Sequence, residues 1–120
     1  WPISAEGLIE TDAEPFLLNT NKLPLRKELF YRDPIVFKNL RSDTVRLRSS
    51  KHDKGIEFNF PGFPYLGVWA AKDADFVCIE PWCGIADPVN SSQQLTEKEG
   101  INRLAPQGIF ERSWGVGFEI

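Results

Sequence analysis

The sequence predicts an all-β domain, an antiparallel sandwich of short strands. Three observations carry that reading. Segments such as residues 55–60 alternate apolar and polar side chains, as a half-buried antiparallel strand does. The segments are short and follow at regular intervals, separated by turns rich in Gly, Pro, Asn and Asp. The helical patterns, at residues 25–31 and 95–100, span about a turn each and are too short to stand alone.

Taken in order, residues 1–24 are the least patterned. Residues 7–10 read as a short strand, Asp12-Ala13-Glu14-Pro15 as a turn, and Phe16-Leu17-Leu18 as an apolar run. Residues 25–31 place Leu25, Leu29 and Phe30 on one side of a helical turn. Residues 33–40 and 44–50 are strands around the turn Arg41-Ser42-Asp43, a β-hairpin by pattern. Residues 51–55 form a polar turn ending on Gly55, and 55–60 the next strand. After the break Pro61-Gly62-Phe63-Pro64, residues 65–70 form a strand expected to pair with its successor, residues 76–79. Residues 88–94 are a loop, Gly100 closes a helical turn, and 105–108 make another turn. The last strand lies within residues 109–120, where Gly115 and Gly117 suggest bulges.

Composition narrows the function classes. With 120 residues, 42% of them hydrophobic, the chain has the length of one domain with a core. A net charge of −3 gives no general reason to expect nucleic acid or an acidic membrane as partner. Residues 22–54 are rich in Lys and Arg, but Arg46 and Arg48 alternate with Val45 and Leu47 as on a solvated strand face. A phosphate site or a nucleic-acid contact there is the weaker reading, since interleaved aromatics are missing. Cys78 and Cys83 lack a C-x-x-C spacing, so a zinc site built from them with His52 is disfavoured and no metal is expected. No signal peptide and no long apolar run is visible, which fits a cytoplasmic setting with reduced thiols. The sequence holds no Met, so Trp1 is expected to be an internal or processed start.

Residues 76–87, Phe-Val-Cys-Ile-Glu-Pro-Trp-Cys-Gly-Ile-Ala-Asp, concentrate the chemistry. The apolar run 76–79 reads as a buried strand that ends on Glu80, with Pro81 stopping further pairing. Alternation puts Glu80 on one face with Cys78 and Phe76, and Val77 and Ile79 on the other. A carboxylate among apolar neighbours is costly unless paired or used, and burial moves a Glu toward the range of a general base. The competing reading is an ordinary surface Glu at a strand exit.

This segment, with Phe63-Pro64-Tyr65-Leu66-Gly67-Val68-Trp69 before it and Glu97-Lys98-Glu99-Gly100-Ile101 after it, resembles the C-terminal part of the aldose 1-epimerase (galactose-mutarotase-like) family. It is similar above all to the bacterial branch. The separated motifs keep their order and span about residues 25–115. The resemblance implies that residues 1–120 are the C-terminal part of a single large β-sandwich domain, the galactose-mutarotase-like supersandwich. It also implies interconversion of α and β anomers of an aldohexose or hexose 6-phosphate, with Glu80 as base and no cofactor. The expected partners are a small-molecule sugar and the N-terminal part of the same protein.

Asp33, opening the strand Asp33-Pro34-Ile35-Val36-Phe37, matches a family Asp that binds sugar hydroxyls, although Pro34 departs from the branch's pattern. On residue type alone it is a turn former. Trp69 and Trp82 offer flat faces for stacking on a pyranose, and each also reads as a core or rim residue. His52 sits in a charged turn and is expected to be exposed; the resemblance places the family's acid histidine upstream of this chain. The alternative reading is a carbohydrate-binding sandwich that lacks the reaction.

Overall fold

The computed structural model describes residues 1–14, 16–17 and 19–120. The turn expected at Asp12–Pro15 and the apolar run Phe16–Leu18 each include a residue, Pro15 or Leu18, outside the described ones. The strands are β1 (Ile35–Lys38), β2 (Thr44–Arg48), β3 (Gly55–Asn59), β4 (Tyr65–Trp69), β5 (Cys78–Trp82) and β6 (Gly115–Glu119). They form two three-stranded sheets, ordered β1-β4-β5 and β2-β3-β6, with antiparallel pairing throughout. The fold is the expected all-β antiparallel sandwich.

Alternation explains the core. Leu66 and Val68 of β4 face the second sheet with Ile35 and Phe37 of β1 and Ile79 of β5, and meet Phe58 and Val45 from β3 and β2. Phe30, Phe60 and Ala70 complete this cluster. Phe30 arrives on a 3-10 turn, Lys27–Phe30, at the place where one helical turn was expected. A fully buried Val, Leu or Phe side chain of this cluster stabilises the fold by roughly 1.5–3 kcal/mol relative to leaving it in water.

Three expectations need correction. The strands at 33–40 and 44–50 do not form a hairpin: β1 pairs with β4 and β2 with β3. The chain instead crosses from one sheet to the other through residues 39–43, so that Phe37 and Val45 enter one core from opposite layers. Pro81 does not end β5, because it lies inside the strand opposite Leu66, and Trp82 still pairs with Tyr65. β5 is an edge strand, where one side of the backbone needs no partner and proline is tolerated. Gly115 and Gly117 are not bulges but pair in continuous register with Asn59 and Glu57.

The outer face of the second sheet accounts for much of the basic segment. Arg46 Nη2 lies 2.7 Å from Glu57 Oε2, its register partner, and Arg48 Nη2 lies 2.7 Å from Glu119 Oε2. The second contact is close but out of line for a hydrogen bond. On the inner face Trp114, Val116 and Phe118 are exposed, Phe118 by 77%. Among the described residues no helix is long and apolar enough to cross a membrane.

Candidate active site

The face of the first sheet turned away from the core carries Glu80. Register sets its rows: Val36, Gly67 and Glu80 stand abreast, with Lys38, Tyr65 and Trp82 on one side and Trp69 beside Cys78 on the other. This is the alternation expected for Glu80 and Cys78, while Val77 and Ile79 pack toward the core. A second apolar cluster of Ile9, Val36, Tyr65 and Ile85 lies on this face, with Trp1, Ile3 and Trp82 packed against it. Ile9 is stitched between two segments, bridging Ile3 and Pro88. Its amide donates to Asp87 O at 2.8 Å and its carbonyl accepts from Val89 N at 2.9 Å.

The loop after β5 is tied down by side chains. Lys98 pairs with Asp87, and Asn102 Nδ2 donates to Cys83 O at 3.0 Å. Lys38 Nζ meets Glu99 Oε2 at 2.9 Å and stands 4.8 Å from the centre of the Trp1 ring. Burial, and then the neighbouring Glu99, push the Tyr65 hydroxyl above its ordinary pKa. Sequence reasoning missed Lys38, Tyr65, Glu99 and Gly67 as parts of this face. Three of them lie in the motifs Phe63–Trp69 and Glu97–Ile101, which were the only signal available.

Glu80 is half-buried. The Trp82 indole N–H donates to Glu80 Oε2 at 3.3 Å, long for such a bond. Both residues line an open hollow of about 590 Å³ along β5, bordered also by Phe58, Phe63, Arg112 and Trp114. That volume is within the range of small-molecule sites. Asp33 and Trp69 line a different hollow, of about 550 Å³, with Tyr31, Arg32 and Lys72. The four expected site residues thus fall into two pairs. Trp69 shares the sheet face with Glu80, and its ring lies 6.0 Å from that of Phe76. Asp33 is exposed with φ 85°, a turn conformation, just before β1. His52 is exposed in the turn between β2 and β3. Among the described residues no group of three or more His, Cys, Asp or Glu side chains is placed to hold a metal ion.

The chain is similar to known proteins over most of its length. It is 32% identical over 112 residues to the chromosomal and plasmid forms of Protein LacX from Lactococcus lactis subsp. lactis. Each match covers 92% of this chain and 38% of the relative, so the chain spans well under half the length of these curated relatives. The X-ray structure of a galactose mutarotase related enzyme from Lactobacillus acidophilus superposes with a TM-score of 0.75 at 30% identity. That match covers 82% of this chain and 34% of the other. No family model matches.

Proposed function

Starting from kinship with the galactose-mutarotase-like proteins in both sequence and fold, we propose that this chain carries the base of an aldose 1-epimerase. In this reading the Glu80 carboxylate takes the proton of the C1 hydroxyl while an acid protonates the ring oxygen. The C1–ring-oxygen bond breaks to give the open aldehyde, the C1–C2 bond rotates, and the reverse transfers close the ring as either anomer. Both steps are proton transfers, so the cycle needs neither metal nor organic cofactor. The substrate is a free or 6-phosphorylated aldohexose. We further propose that residues 1–120 are the C-terminal part of one sandwich domain, whose preceding part supplies the acid, a histidine in the family. A reducing, cytosolic setting belongs to the same reading, supported by the unbridged Cys78 and Cys83.

The observation that supports it best is Glu80 itself: half-buried, beside an indole donor, on the rim of a sugar-sized hollow. A carboxylate whose side-chain donor among the described residues is one long N–H keeps lone pairs for a substrate hydroxyl. The test is a coupled mutarotation assay on the full-length polypeptide and its Glu80→Gln variant. Wild type should exceed the spontaneous rate and the variant should fall back to it. One observation favours a second reading, a carbohydrate-binding sandwich without catalysis. The chain's single histidine, His52, is exposed in the β2–β3 turn and not among the residues lining the Glu80 hollow. If both proteins track the spontaneous rate yet bind sugar, that second reading stands.

A further inference from the structure

Gly67 lies directly opposite Glu80 in the β4–β5 register, and Trp82 is two residues further along β5 on the same face. Gly67 has no left-handed backbone to explain it; what distinguishes it is space. A Cβ there would stand 2.6 Å from Trp82 Cζ2, 3.0 Å from Cε2 and 3.1 Å from Cη2. The six-membered ring of the indole therefore fills the room that a side chain at position 67 would take. Fixing that ring fixes its other end, the Nε1–H, which donates to Glu80 Oε2.

We propose that Gly67 and Trp82 work together as positioning residues for Glu80. The gap at Gly67 seats the indole, and the indole N–H holds one carboxylate oxygen, leaving the other for the C1 hydroxyl. This rests on Glu80 being the base. It also gives Trp82 a different task from stacking on a sugar, since its polar edge is turned to Glu80 and its ring is seated on Gly67. A near-attack geometry is sensitive to small displacements of the base, so the loss should appear in turnover and not in binding.

The test uses the full-length polypeptide, with unfolding midpoints recorded for every variant. Trp82→Phe keeps an aromatic body and removes the donor; kcat should fall about tenfold with KM within about twofold, as for one charge-assisted hydrogen bond. Gly67→Ala should lower kcat in the native background but cause no further fall in the Trp82→Phe background, because it acts through the indole. If Gly67→Ala does not fold, Trp82→Phe decides alone. Unchanged kcat with a raised KM for Trp82→Phe overturns the proposal in favour of stacking. A full additional loss from Gly67→Ala in the Trp82→Phe background also overturns it. Glu80→Gln separates the two levels: if it is inactive while Trp82→Phe turns over normally, only the positioning role fails. If Glu80→Gln is fully active, the base assignment fails and this proposal fails with it.

Discussion

Lys38 and Glu99 meet at 2.9 Å across 61 residues of chain, joining the end of β1 to the segment just beyond the 3-10 turn Leu95–Glu97. The two ends differ: the Lys38 side chain is only 10% exposed, Glu99 43%. Removing the carboxylate leaves a mostly buried ammonium without its partner, which costs more than losing an exposed pair.

Glu99→Gln should therefore destabilise the fold by about 1–2 kcal/mol, measured by urea unfolding. In a Lys38→Met background the same change should cost little, because the charge that needed a partner is gone. Equal losses in both backgrounds would rule out the pair as the cause.

The two tyrosines give a pH prediction. Tyr31, through its hydrogen bond to Asp73, and Tyr65, through burial and then Glu99, both lie above the ordinary value of 10.0. The folded state thus favours the protonated phenols. Their contribution to stability is complete below pH 10 and is lost as pH rises through the folded values. Ultraviolet titration should show both phenols ionising at higher pH in the folded chain than in denaturant, and Tyr65→Phe should remove the share that comes from the buried phenol.

The ion pairs of β2 predict the opposite limb. Arg46, first by its hydrogen bond and then by its charge, holds Glu57 below the usual 4.5. That stability is present above pH 4.5 and fades as pH falls through the lower folded value. Arg46→Gln should be less stable than wild type at neutral pH, with the gap closing in acid and in high salt. A gap that persists in acid would point to lost packing of the arginine stem instead.

Asp33 separates backbone from carboxylate. With φ 85°, it sits where a β-carbon is strained and glycine is not. Asp33→Gly should keep or raise the unfolding midpoint, whereas Asp33→Val should lower it, destabilising the fold by about 1 kcal/mol or more. If the carboxylate binds sugar hydroxyls, Asp33→Gly should raise KM in the full-length polypeptide despite its sound fold. An unchanged KM would leave Asp33 as a turn residue only.

The chain's own letters disclosed more about faces than about neighbours. Period-two alternation set Glu80 apart from Ile79 correctly, and Arg46 apart from Val45, because burial acts on one side of a strand at a time. Partner choice is another matter. β1 and β2 follow each other with a turn between them, yet they belong to different sheets; both arrangements bury Phe37 and Val45 equally well by pattern. The Lys38–Glu99 contact leaves no local trace, since neither residue's surroundings mention the other. Gly67 is similar: a glycine inside a strand announces a close approach, but only the fold says that an indole fills it.

Ile9 has a bearing on the order in which the molecule is made. Its amide and carbonyl are satisfied by Asp87 and Val89, so during synthesis they must wait until Val89, 80 residues further along (89 − 9), has left the ribosome. Closing so long a span is entropically dear and slow compared with joining β4 to β5. The corner beside Glu80 therefore closes late, and a nascent chain released before Val89 would hold the acidic strand without the brace that finishes its surroundings.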